Sequence, residues 1–318
     1  MDVLSDILDA TRLRGTLYFT TSLSPPWGIR VPRHGLVARF HLVARGRLWV
    51  RLEGEEPTCL ETGDLVLVPR GAPHDLLDDP TTPACELDDV LTRSGFTGEG
   101  TLVHGGEDTD SPTRLACGHF TLDEHVEHPL LEHLPSCLIL RRGDDEDSTR
   151  LADLIAQVMR EATQGELGCH AVVRRLSEVL FIQALRAWAR RSAQEENGLA
   201  ALADPQLGAS LERLHERPGD PWTLESLARA AGLSRTVFAQ RFKEALGMPA
   251  MKYLTSWRMQ RARRLLVESE QTLEAIAEDV GYESAPALSR VFKRWVGVPP
   301  GQYRREHARG YLAALEET

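Results

Sequence analysis

Residues 221–250, PWTLESLARAAGLSRTVFAQRFKEALGMPA, return at residues 271–300 as QTLEAIAEDVGYESAPALSRVFKRWVGVPP. Leu224, Ala228 and Gly232 recur as Leu273, Ala277 and Gly281, 49 residues later. Phe242, Lys243, Gly247 and Pro249 recur as Phe292, Lys293, Gly297 and Pro299, 50 residues later. The register changes by one in the turn, where a loop absorbs an extra residue. Self-similarity of this kind marks a duplicated supersecondary unit.

Each copy has the parts of a helix-turn-helix. Leu224, Leu227, Ala228 and Ala231 form an apolar stripe at helical spacing, and Gly232 suits the left-handed residue that ends such a helix. Ser234 is placed to cap the next helix, with Val237, Phe238 and Phe242 pointing back at the first. In the second copy Leu273, Ile276, Ala277 and Val280 repeat the stripe, Gly281 the turn and Ser284 the cap. Pro286 falls in the first turn, where its missing N–H costs little, and Leu288, Val291 and Phe292 are expected in the core.

Residues 207–306, with the joining segment YLTSWRMQRARRLL and the closing segment GYESAPALSRVFKRWVGVPPGQYR, resemble the DNA-binding domain of AraC-type transcription regulators. The resemblance implies one unit with two recognition helices set to enter successive major grooves. The spacing agrees independently. A joining helix from about Ala250 to Leu266 rises ~25 Å, and side chains at its ends make up most of the ~34 Å DNA repeat.

With Phe242 and Phe292 as core anchors, the groove-facing positions follow from the helical wheel. They are Arg235, Thr236, Ala239 and Gln240 in the first recognition helix. In the second they are Ser284, Ala285, Pro286, Ser289 and Arg290. Bidentate geometry suits Arg290 to guanine and Gln240 to adenine. Arg241, Lys243, Arg258, Lys293 and Arg294 are expected on the phosphate backbone, fixing register without reading sequence.

The chain carries a formal net charge of −10, the wrong sign for a DNA binder as a whole. From Asp204 onward there are 17 Lys/Arg against 15 Asp/Glu, and before it 20 against 32. The repulsive charge is thus confined to the N-terminal part, and binding should be salt-sensitive. There is no apolar run long enough for a membrane span, and MDVLSDILDATRLRG is acidic and amphipathic, unlike a signal peptide. Five cysteines without CxxC spacing argue for a reducing, cytoplasmic setting.

After a short helix near residues 3–12, residues 15–141 read as short strands: GTLYFT, GLVARFHLV, RLWVRLEG, DLVLVP, HDLL, TLVHG and RLACGHFTL. Such a block suggests a β-barrel or jelly roll. GDLVLVPRGAPH, from Gly63 to His74, fits the second cupin motif G-x5-P-x-G-x2-H, and Gly35-x5-His41 opens the first. With PPWG at residues 25–28, CGHF at 117–120 and HPLLEHLP at 128–135, this half is similar to the cupin-type sensor of a subgroup of AraC-type regulators.

In cupins, histidines and a glutamate can hold a metal. Here His41 and His74 occupy the first and last ligand places, but Val43 replaces the second His and no Glu follows at the motif spacing. The cofactor is left undetermined, because three or four ligands are usual. His41 and His74 are candidates as metal ligands, as buried hydrogen-bonded groups, or, with Trp27 and Trp49, as the lining of an effector pocket; for the two tryptophans the alternative is the core, where large aromatics in barrels more often lie. Cys85 and Cys117 are candidates for redox sensing.

Helices are expected at about 148–163 and 169–191. In the second, Val172, Val173, Leu176, Val179, Leu180, Gln183 and Trp188 form a broad apolar face that packs on the barrel, on a second subunit, or on both.

The fold class expected is α+β in two domains. A cupin-like barrel at 1–145 is followed by a helical dimerisation region and linker at 146–203 and an all-α double helix-turn-helix at 204–318. The expected function is an effector-controlled, sequence-specific transcription regulator and not an enzyme. Its partners would be double-stranded DNA, a small effector, a second copy and RNA polymerase, with no membrane. The alternative is a metal-dependent cupin enzyme carried on a DNA-binding domain.

Overall fold

The strand VARFHLVAR, β3 (Val37–Arg45), alternates Arg39, His41 and Val43 with Ala38, Phe40 and Leu42, and all six are buried. A strand hidden on both faces must lie between two layers. The computed structural model, which describes residues 2–11, 14–33, 37–98, 100–106, 111–121, 134–143, 146–164, 166–191 and 200–307, supplies both. One face meets a second sheet and the other meets helices.

β3 belongs to a six-stranded sheet with β1 (Arg14–Ser24), β6 (Leu65–Val68), β9 (Thr101–Gly105), β10 (Arg114–Thr121) and β11 (Leu138–Leu140), in the order β11-β6-β3-β10-β1-β9. The second sheet holds β2 (Gly28–Val31), β4 (Arg47–Leu52), β5 (Thr58–Glu61), β7 (His74–Leu77) and β8 (Cys85–Glu86), in the order β5-β4-β7-β2-β8. Val43, Val66, Leu115 and Cys117 from the first share one core with Ile29, Val31, Val50 and Leu76 from the second. This is the cupin-like barrel that the strand pattern implied.

Helices cover the outer face of the larger sheet. Phe40 packs on Phe120 at 5.1 Å between ring centroids, and Phe120 on Phe181 at 4.7 Å. Phe181 lies on α4 (Cys169–Arg191), which buries Val173, Ser177, Leu180, Phe181 and Ala184. The preceding helix, α3 (Glu146–Gln164), buries Leu151, Ile155 and Val158 and packs on β3. Val172 and Val179 on α4 stay exposed. The apolar face read from the sequence therefore divides, one stripe against the barrel and its neighbour outward.

Three short strands, β2, β5 and β8, and the helix α2 (Leu87–Ser94) were not expected from the sequence. Cys137 lies just before β11. Gly35 and residues 128–133 of HPLLEHLP fall outside the described residues.

The helical unit shows how closely the repeat is obeyed. Thr223 and Thr272 cap α7 (Leu224–Ala230) and α10 (Leu273–Asp279), each hydroxyl accepting from the N–H three residues on. Gly232 and Gly281 take φ of 65° and 76°, and the residue after each donates to Ala228 or Ala277 at 2.9 and 2.8 Å. Ser234 and Ser284 then cap α8 (Arg235–Leu246) and α11 (Ala285–Val296). Phe242 meets Tyr253 at 5.7 Å and 77°; Phe292 meets Tyr303 at 5.6 Å and 73°. Val237 departs from expectation, being 44% exposed.

The joining helix α9 (Ala250–Glu268) buries Tyr253, Leu254, Trp257, Met259, Ala262 and Leu266. The short α5 (Ala200–Ala203) and α6 (Pro205–Glu216) precede the first repeat, and residues 300–307 are helical. The chain's first helix, α1 (Val3–Thr11), belongs to this helical unit and packs on α6 and α9, although its sequence position placed it with the barrel. Val3, Ile7 and Leu8 are buried there, and Asp6 Oδ2 lies 3.7 Å from Nδ1 of the buried His215. That ring stacks on Trp257 at 4.0 Å, with Nε2 at 2.8 Å from the Tyr253 hydroxyl.

Candidate functional site

The inward residues of β3 and β10 meet by register: His41 opposes Cys117, and β7 brings His74. His41 Nε2 is 2.8 Å from His74 Nε2, His41 Nδ1 is 3.2 Å from Cys117 Sγ, and His74 Nδ1 is 2.7 Å from the Ala72 carbonyl. A carbonyl only accepts, so His74 carries its proton on Nδ1 and accepts at Nε2. His41 must then donate from Nε2 and accept at Nδ1, and Cys117 must donate its S–H. The three side chains form one directed chain ending on the backbone.

Electrostatics keep that chain neutral. Burial, with the nearby His74 and the Arg39 cation, holds His41 well below the ordinary imidazole value. Burial also lowers His74 to about 4, and pushes the Cys117 thiol up to about 12. Cys117 is therefore a protonated donor rather than a nucleophile. Cys85 sits exposed on β8.

These residues do not fit a metal. The His41 and His74 nitrogens are at hydrogen-bonding distance, and their lone pairs are consumed along the chain. Among the described residues no group of three His, Cys, Asp or Glu could hold an ion.

Beside the chain lies a cavity of about 320 Å³. Its walls are mainly Phe19, Leu23, Ile29, Val31, Leu102 and Leu115, with Arg39, His41 and Cys117 on one side. Leu87 and Leu91 of α2 also line it, and Phe96 after that helix packs edge-on against Phe19 at 5.1 Å. Of the four effector candidates, only His41 borders the cavity. His74 lies behind it, Trp27 is packed in the barrel core, and Trp49 alternates with the inward Leu48 and Val50 and so faces outward. Arg39 was missed, yet it shares the strand face of His41 two residues away.

In the helical unit, Phe238, Phe242 and Leu246 anchor α8 inward, leaving Arg235, Thr236, Gln240 and Lys243 exposed and Ala239 half-buried. Gln240 donates to Glu244 Oε1 at 2.9 Å. On α11, Arg290, Lys293 and Arg294 are exposed, Ser289 is half-buried and Ser284 is spent on the cap. Ala285 is buried at 7% exposure and presents almost no surface to a groove.

Two arginines point elsewhere than expected. Arg241 pairs with Asp204 at 2.6 Å and donates to Gln206, tying α8 to the start of α6. Arg258 donates to the carbonyls of Pro218, Asp220 and Gly281.

A cupin family profile matches residues 2–190, and a helix-turn-helix domain profile matches residues 227–306. An AraC-like transcription regulator of Streptomyces lividans is 32% identical over 309 residues, covering 96% of this chain and 98% of that one. The chain belongs to the AraC-type transcription regulators. An AraC-like regulator of Streptomyces antibioticus is 33% identical, with 96% and 99% covered. The RCS-specific activator RclR of Escherichia coli is 28% identical, with 96% and 97% covered. Among solved structures, the DNA-binding domain of AdpA in complex with a target DNA is 30% identical over 32% of this chain and 92% of that one, with a TM-score of 0.31. This AraC-type regulator thus pairs an N-terminal cupin-like ligand-sensing domain with a C-terminal DNA-binding one. No described helix is long and apolar enough to cross a membrane.

Proposed function

We propose that the protein reads DNA with α8 and α11 and that the barrel cavity takes the effector that controls it. The observation that carries the effector reading is the 320 Å³ cavity itself, at the small end of the ~300–1,000 Å³ range of ligand pockets. Its polar side chains are largely engaged within the wall. Thr21 Oγ1 accepts from the Leu115 N–H at 2.9 Å, and Cys117 and His41 are joined in the directed chain. The effector is accordingly a small, mainly apolar molecule.

Base readout falls to Arg235, Thr236 and Gln240 on α8 and to Ser289 and Arg290 on α11. Lys243, Lys293 and Arg294 hold phosphates. The exposed Val172 and Val179, seven residues apart on one face of α4, suit a homodimer contact. RNA polymerase at the promoter is the further partner, and the site of action is the cytoplasm. The barrel carries no catalysis in this reading, because its histidines are hydrogen-bonded to one another rather than arranged around an ion.

Calorimetric titration of the full chain with toluene and with benzoate, the same ring without and with a charge, tests the cavity. Leu91→Trp, which fills it from α2, should abolish uptake of either while leaving DNA binding intact. Uptake by Leu91→Trp equal to wild type would remove the cavity as the effector site.

A further inference from the structure

Arg258 lies midway along α9, the only described helix that joins the two helix-turn-helix units. Its guanidinium donates from Nε to the Pro218 carbonyl at 2.7 Å, from Nη2 to Asp220 at 2.8 Å and from Nη1 to Gly281 at 3.3 Å. Its plane also lies 5.7 Å from the Tyr282 ring centroid. Pro218 and Asp220 follow α6 and lead into the first helix-turn-helix; Gly281 is the turn of the second.

Both segments follow helices: Pro218 and Asp220 come after Glu216, the last residue of α6, and Gly281 comes after Asp279, the last residue of α10. Backbone carbonyls in such turns lie outside the helical ladders and need donors of their own. A single cation between the two turns satisfies carbonyls of both. The planar fork of arginine suits this, since its donors diverge in fixed directions, whereas a lysine presents one compact head. Burial lowers the Arg258 pKa, because the guanidinium gives up water there.

The two segments also touch without help from side chains. A Cβ on Gly281 would lie 2.5 Å from the Gly219 carbonyl oxygen, and one on Gly219 would lie 2.8 Å from that of Asp279. Backbone therefore meets backbone at one place, and Arg258 bonds both sides of it. A shift of one unit against the other must break these bonds.

We infer that Arg258 is a positioning residue that fixes the separation and angle of the two recognition helices, and so sets which half-site spacing the regulator accepts. It touches neither base nor phosphate in this role. The inference rests on both α8 and α11 entering DNA, as proposed above.

The test uses full-length protein and a duplex enriched by the wild type from a random library, then variants of it with one base pair added or removed between half-sites. Each added base pair turns the second half-site by roughly 35° and moves it ~3.4 Å, so a rigid pair of helices should lose affinity at least ~10-fold. Arg258→Met should bind the parent duplex several-fold more weakly, with the penalty for a changed spacer reduced to about 3-fold or less and base preference within each half-site unchanged. Its salt slope should match wild type, since no phosphate contact is lost. Arg258→Lys keeps the charge and should show the same relaxed spacing; it decides the matter if the Met variant fails to fold by circular dichroism. A salt slope reduced by about one with spacing preference intact would make Arg258 a phosphate contact and overturn the inference. Unchanged spacing preference in either folded variant would also overturn it. Wild-type binding indifferent to spacing would instead overturn the two-helix reading on which it rests.

Discussion

Acid should destabilise the barrel through His74, and His74→Gln should remove that share. The imidazole is 2% exposed and its pKa falls from 6.5 to about 4 on folding. A group whose folded pKa is depressed binds more protons when unfolded, so its contribution is present above pH 6.5 and is lost as pH falls towards 4. From these two values the share lost between pH 7 and pH 5 is about 2 kcal/mol. His41 shifts in the same direction for the same reason, burial. The assay is urea denaturation of the full-length wild type and His74→Gln at both pH values. Groups away from the pair titrate alike in the two proteins, so the double difference reports His74 together with its neighbour His41. A double difference within about 0.5 kcal/mol of zero, or greater stability at pH 5 in the wild type, would refute the neutral, directed chain from Cys117 to Ala72.

Three further outcomes follow from the packing and the surfaces. Phe292→Ala should cost ~3–5 kcal/mol in the second helix-turn-helix, because the ring is fully buried against Tyr303; thermal melting checks it. Arg290→Ala should lose ~1–3 kcal/mol of discrimination at one base position. An equal loss on all duplexes would make Arg290 a phosphate contact. Val172→Asp with Val179→Asp should leave DNA half-site recognition intact and yield monomers by light scattering, whereas an unchanged mass would place any subunit contact elsewhere.

The helical repeat was legible because everything that defines it is local. Caps, turn glycines and apolar stripes lie within a few residues of one another, and Ser234 with Ser284, Gly232 with Gly281 and Phe242 with Phe292 took matching places. The directions of Arg241 and Arg258 were not legible. Whether a long cation meets phosphate or carbonyl depends on loops brought from 40 residues before and 23 after Arg258 along the chain. In the barrel, the alternating runs of β3, β4 and β10 announced themselves, but β2, β5 and β8 span four residues or fewer and carry little periodicity. The acidic LDDVLTRS conceals α2, whose Leu87 and Leu91 help close the cavity. The chemistry of Trp27 and Trp49 left pocket and core both open, and it took packing to place Trp27 in the core and strand register to turn Trp49 to the outer face.

The most direct test of the whole account is selection of duplexes from a random library by the full-length protein. Two recognition helices on one unit predict a bipartite motif, its halves about 10–10.5 base pairs apart centre to centre, relaxed at one position of one half in Arg290→Ala and at one position of the other in Gln240→Ala. A single uninterrupted motif, or enrichment independent of sequence, would contradict it.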